Sequence, residues 1–162
     1  DFERPTQEEI DAYDLQVVGA IRDGDLDLLR TLAQQENKDF NACNRFGESL
    51  IHMACRRGNA SVVRFLIHEG RVRLDMKDDF GRTPIHDACW TSSPNLDVMD
   101  VLLEAAPVDM LLCEDVRGHT PFHYARKEHW AEWMAYLRSS SNLLLQRLAK
   151  LESGDKPLKI YG

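Results

Sequence analysis

Three stretches of this chain repeat one another: Gly47-Glu48-Ser49-Leu50-Ile51-His52-Met53-Ala54-Cys55, Gly81-Arg82-Thr83-Pro84-Ile85-His86-Asp87-Ala88-Cys89 and Gly118-His119-Thr120-Pro121-Phe122-His123-Tyr124-Ala125-Arg126. Their histidines, His52, His86 and His123, lie 34 and then 37 residues apart. A sequence that repeats at such a period is made of small supersecondary units, none of which can bury its own apolar face. Neighbouring units must therefore stack, and that restricts the chain to an elongated, layered architecture.

The Thr-Pro-Ile-His-Asp-Ala and Thr-Pro-Phe-His-Tyr-Ala elements resemble the signature of the ankyrin-repeat family, whose period is about 33 residues. The resemblance covers roughly residues 14–138 and implies an all-α solenoid of about four helix-turn-helix repeats joined by short loop hairpins, with one more helix at the C-terminal end. Repeats are expected at about 11–43, 44–77, 78–114 and 115–138. In the first, Arg22-Asp23-Gly24 matches Arg56-Arg57-Gly58, while Leu15-Gln16-Val17-Val18 stands where the Thr-Pro-x-His element would be. Terminal repeats depart from the pattern because one of their faces meets water.

The apolar spacing gives the second helix of each repeat. Leu26, Leu28, Leu29 and Leu32 mark it in the first, Val62, Val63, Leu66 and Ile67 in the second, Leu96, Val98, Met99 and Leu102 in the third, and Trp130, Trp133, Met134 and Leu137 in the fourth. Helices are expected near 49–57 and 59–69, with extra residues of the third repeat in Trp90–Pro94 and around Pro107–Cys113. Ahead of the repeats, Thr6 and Glu9 have the spacing of a capping box opening a helix to about Asp23. After them, Leu143, Leu144, Leu148 and Leu151 predict a capping helix at 139–151, started by Ser141 or Asn142, followed by a loose tail from 152 to 162. The first residue is Asp1 rather than Met, which reads as a processed chain or a piece of a longer one.

Gly47, Gly81 and Gly118 fit a tight turn that needs positive φ, and Pro84 and Pro121 fit a first helical turn, where a missing N–H costs nothing. The repeated histidines are expected to tie one repeat to the next through hydrogen bonds. Equivalent positions on packed helices lie about 8–10 Å apart, too far to share a metal ion. Cys43, Cys55, Cys89 and Cys113 show no C-x-x-C pair and read as small core residues of an intracellular protein, cytoplasmic or nuclear. No apolar run reaches membrane-spanning length. The sequence contains no nucleophile elbow, phosphate-binding glycine loop or H-E-x-x-H, so neither an enzyme nor a cofactor is expected.

In the family, the loop tips and the ends of the first helices line a concave face that binds protein partners. Carried over, this gives Arg22 and Asp23; Arg45, Phe46, Glu48, Arg56 and Arg57; Asp79, Phe80, Arg82, Trp90 and Thr91; and Val116, Arg117, His119, Lys127 and Glu128. Seven of these are basic and four acidic, a net of +3 in a chain of net charge −7. Arginines interleaved with Phe46, Phe80 and Trp90 point to a protein partner carrying an acidic or phosphorylated segment. The alternatives are nucleic-acid binding through the same groove, which the overall negative charge disfavours, and a regulatory domain of a larger enzyme. A monomer is expected.

Overall fold

The structure is a computed structural model, and it describes residues 6–11, 13–35 and 38–152. The α-helices run in order α1 Gln7–Asp11, α2 Leu15–Asp23, α3 Leu26–Ala33, α4 Leu50–Arg57, α5 Ala60–His68, α6 Pro84–Cys89, α7 Leu96–Ala105, α8 Trp130–Ser139 and α9 Ser141–Glu152. Short 3-10 turns occupy Val108–Leu112, Pro121–Tyr124 and Lys127–His129. Among the described residues the only strand-like pairing is a bridge between Cys43 and Ser49.

Two layers result. The first helices, α2, α4 and α6, pack in a row that the turn at Pro121–Tyr124 continues, and the second helices α3, α5 and α7 form a row behind them. Each hairpin of helices is closed by the same local chemistry. Gly24 and Gly58 take left-handed φ values of 69° and 79° after α2 and α4, and Asp25 and Asn59 then cap α3 and α5 with their side chains. The third repeat replaces this two-residue link by Trp90–Asn95, where the Thr91 hydroxyl donates to the Ser93 carbonyl.

The core lies between the rows. Leu29 and Leu32, then Val62, Val63, Leu66 and Ile67, then Val98, Met99 and Leu102 are buried at successive levels. Leu26, Leu28 and Leu96 pack partly buried against them. Gly47, Gly81 and Gly118 have φ between 74° and 78°, and Pro84 opens α6 as expected.

Four expectations need correction. The helix from Thr6 to Asp23 is two helices, because Asp14 turns its carboxylate onto the Gln16 N–H (2.8 Å) and starts α2 afresh. The first element of the fourth repeat is a 3-10 turn rather than an α-helix. Of the apolar set on α8, only Trp133 and Leu137 face inward; Trp130 and Met134 are about half exposed. Helix α9 follows Ser140, whose carbonyl accepts the Leu144 N–H, so Ser141 and Asn142 lie inside the helix rather than capping it. Leu144 packs on the core, and Arg147 donates to the Ala106 carbonyl. Glu9, Leu148, Leu151 and the tail beyond Glu152 fall outside the described side chains.

Candidate functional site

The loop edge that carries most of the expected partner-binding residues is built on three loops with one design. Asn44, Asp78 and Asp115 each stand three residues before a glycine, and each turns its side chain back onto its own loop. Asn44 Oδ1 accepts the N–H groups of Phe46 (2.9 Å) and Glu48 (3.1 Å). Asp78 Oδ1 accepts those of Phe80 and Arg82, and Asp115 Oδ1 those of Arg117 and His119, all at 2.9 Å. The loops are laddered to each other by Asp79 N–H to the Phe46 carbonyl (2.8 Å) and Val116 N–H to the Phe80 carbonyl (2.9 Å). A Cβ on Gly81 would stand 3.2 Å from the Val116 nitrogen, so a side chain there would press on the ladder.

Histidines clamp this ladder to the helices. His52 Nδ1 meets Ser49 Oγ (2.6 Å) while Nε2 reaches the Arg82 carbonyl in the next loop (2.7 Å). His86 repeats the arrangement with Thr83 (2.9 Å) and the His119 carbonyl (2.9 Å). The network makes Nδ1 the acceptor and Nε2 the donor, which requires a neutral ring. Burial lowers the pKa of both rings, against the opposing pull of the carbonyl each one touches. His123 does not follow, because the fourth repeat has no helix there and no succeeding loop. Its ring is exposed and stacks on His119 at 3.8 Å.

The remaining residues of the face fall into groups. Arg45 lies over the Phe46 ring (4.8 Å), and Lys127 over Trp130 (6.0 Å). Arg22 pairs with Asp23 (3.4 Å) and lends its carbonyl to Arg57 (3.3 Å). Arg56 bridges Glu48 and Asp87, the latter at 3.2 Å. Arg82 holds Asp78 (2.8 Å) and lies between Phe80 and Trp90, 4.9 and 5.1 Å from the ring centroids. Phe80, Arg82, Trp90, Asp115, Val116, Arg117 and Tyr124 together line a cleft of about 480 Å³ between the third and fourth repeats. Phe46, Phe80 and Trp90 are 54%, 52% and 45% exposed. Val116 and Glu128 are exposed, whereas Thr91 is turned inward.

Three carboxylates were missed from the sequence, and they change the charge of this face. Asp78, Asp87 and Asp115 are all buried; Asp78 and Asp115 bring the net of +3 to +1, and Asp87 lowers it further only as far as it is ionised. Burial pushes the Asp115 carboxyl up, but the Tyr124 hydroxyl and the His119 and Arg117 N–H groups outweigh it and bring it to about 2. Asp87 is the opposite case. Burial outweighs Arg56 and Arg82 and raises it to about 7, and its Oδ1 has no hydrogen-bond partner among the described residues. Their spacing was the available signal for Asp78 and Asp115; for Asp87 there was none, because its partner lies one repeat away.

Among the described residues no group of His, Cys, Asp and Glu is arranged to hold a metal ion, and no helix is long and apolar enough to cross a membrane. Stacked helical hairpins with a laddered loop edge and a shallow side-chain-lined face define a class of recognition scaffold. The chain belongs to the ankyrin-repeat family: the family profile described as ankyrin repeats (3 copies) matches residues 17–111. Domains of this family are in general non-catalytic protein–protein interaction modules. The chain is 31% identical over 122 residues to human SMC5-SMC6 complex localization factor protein 1, covering 74% of this chain and 11% of that protein. It is 28% identical over 142 residues to mouse diacylglycerol kinase iota, covering 86% and 13%. It is also 33% identical over 66 residues to the Arabidopsis thaliana E3 ubiquitin-protein ligase KEG, covering 41% and 4%. The chain thus matches only a small part of each of these relatives.

Proposed function

We propose that this chain is a recognition module whose concave face holds an acidic or phosphorylated segment of a partner protein, with Phe46, Phe80 and Trp90 as anchors. The observation that carries this is how the charge is sorted by depth. The carboxylates Asp78, Asp87 and Asp115 are buried and turned toward the domain's own donors. Arg45, Arg57, Arg117 and Lys127 are exposed and, among the described residues, have no carboxylate within ion-pair distance. A partner therefore meets four such cations against two exposed carboxylates that form no ion pair among the described residues, Asp79 and Glu128, together with aromatic rings; arginine and aromatic residues dominate binding energy at protein interfaces. The relatives named above have unrelated names and share this segment, which favours a role in placing a larger protein on its partner.

Selection from a library of displayed random peptides tests the reading. The wild-type domain is expected to enrich peptides with Asp or Glu beside an aromatic residue, and Arg45→Glu with Arg117→Glu to lose that enrichment while melting at an unchanged temperature. Enrichment of basic peptides, or an acidic preference indifferent to the double reversal, would refute it.

A further inference from the structure

Resting on the acidic-segment reading, we infer that the cleft between the third and fourth repeats is its anion receptor, that Arg82 is the residue which bonds the anion, and that the anion is a carboxylate beside a large apolar side chain rather than a phosphate. Arg82 is fixed before any partner arrives. Its N–H donates to Asp78 Oδ1 (2.9 Å), its carbonyl accepts from His52 (2.7 Å), and its Nε donates to Asp78 Oδ2 (2.8 Å). The guanidinium carbon lies over both the Phe80 and the Trp90 rings, and the side chain is 17% exposed.

The two terminal nitrogens, Nη1 and Nη2, take no acceptor among the described residues. They form the edge that matches two carboxylate oxygens. Most of the rotamer freedom that an arginine loses on binding is already gone, so a bond formed at this edge keeps more of its strength.

Charge decides which anion fits. The cleft contains two arginines, Arg82 and Arg117, and the pair formed by Arg82 and Asp78 is neutral, as is the sum with Asp115 and Arg117. A carboxylate adds one negative charge to that balance. A phosphate adds about two, within reach of two buried aspartates that cannot move away. A cation is no better placed. Arg82 already covers two aromatic faces, and both oxygens of Asp115 are taken, Oδ1 by two N–H groups and Oδ2 by the Tyr124 hydroxyl. The ring edges of Phe80, Trp90 and Tyr124 left open give the apolar neighbour its contact.

The test is fluorescence polarisation of the full chain with labelled seven-residue peptides in a Gly-Ser background. They differ only in a central pair: Glu-Trp, Gln-Trp, phosphoserine-Trp or Lys-Trp. Glu-Trp is expected to bind at least about tenfold tighter than Gln-Trp, the scale of a charge-assisted hydrogen bond. Arg82→Lys, which keeps the charge but loses the two-nitrogen edge, is expected to erase that difference, and Arg64→Gln, at an exposed position of α5 outside this face, to preserve it. Chemical shifts of the Arg82 guanidinium in the unaltered domain give a readout that needs no variant, and Glu-Trp must move them. Equal or tighter binding of phosphoserine-Trp or Lys-Trp, discrimination that survives Arg82→Lys, unmoved guanidinium signals or no binding by any peptide would each overturn the inference. If the displayed library still yields acidic peptides, only this assignment falls; if it does not, the acidic-segment reading falls with it.

Discussion

Replacing His52 by Ala removes a side chain that joins a helix cap to the next repeat. Three hydrogen bonds go: those to Ser49 Oγ and to the Arg82 carbonyl, and the one that Nδ1 accepts from the Ser49 N–H (3.3 Å). The serine hydroxyl still accepts the residue-52 N–H (3.3 Å), and the Arg82 carbonyl still accepts the Asp78 N–H (3.0 Å), whereas the Ser49 N–H loses the acceptor that the ring gave it. The loss is then about 1 kcal/mol for each bond. The ring is fully buried, and a hole of roughly 60 Å³ at about 24 cal/mol per Å³ adds about 1.5 kcal/mol. The sum is about 4.5 kcal/mol, a large share of the stability of an ordinary domain. At about 2–4 °C per kcal/mol for a chain of this length, the melting temperature should fall by about 9–18 °C at pH 7.5.

His123→Ala removes an exposed ring and should change stability by no more than about 0.5 kcal/mol. The gap between wild type and His52→Ala should narrow on acidification. The depressed ring pKa gives a contribution that is complete above the unfolded value of about 6.5 and is lost as pH falls through it toward the folded value. Differential scanning calorimetry at pH 7.5 and 5.5 reads all three quantities. A drop below about 2 °C for His52→Ala, or equal drops for His52→Ala and His123→Ala, would refute the clamp.

Asp87→Asn should grow more stabilising, relative to wild type, as pH rises. The raised folded pKa of about 7 means that the carboxyl costs no stability below the unfolded value of about 3.9 and costs progressively more as pH climbs from there to about 7, levelling off above it; melts from pH 5 to 8.5 in which the difference stays flat would contradict this. Gly118→Ala should cost about 1–2 kcal/mol for its positive φ alone, since nothing lies within 4 Å of the new methyl group. Gly81→Ala, with the same φ and a backbone nitrogen 3.2 Å away, should cost more, and urea unfolding that ranks them the other way would count against the loop ladder. Removing residues 141–162 should lower the melting temperature without altering the sedimentation coefficient beyond the lost mass if α9 serves as a cap. Loss of self-association at unchanged stability would assign its leucines to a seam instead.

The repeat period and the apolar spacing made the helix pairs and the order of the stack legible, because both depend on residues close in sequence. The same locality explains the misses. The chain breaks at Asp14 because a short side chain offers its own backbone a bond that competes with a continuous helix. Arg56 and Arg82 were readable as cations on the concave face, but their commitment to Asp87 and Asp78 depends on how loops and neighbouring repeats meet. The loop-organising trio Asn44, Asp78 and Asp115 was in view all along, three residues before each glycine. That spacing is the signal of a shared place in the repeat; the role is seen in the side chains turned back on their own N–H groups.

The clamps formed by His52 and His86 grip the carbonyls of residues 82 and 119, never their side chains. Any amino acid other than one that distorts the loop offers the same oxygen. Of the positions just after the glycines, His119 is therefore free to be rewritten while the stack stays intact, whereas Glu48 and Arg82 also hold Arg56 and the buried Asp78 with their side chains. A library randomised at His119 and at the exposed loop positions Arg45 and Arg117 should yield binders of new specificity whose heat resistance tracks the parent.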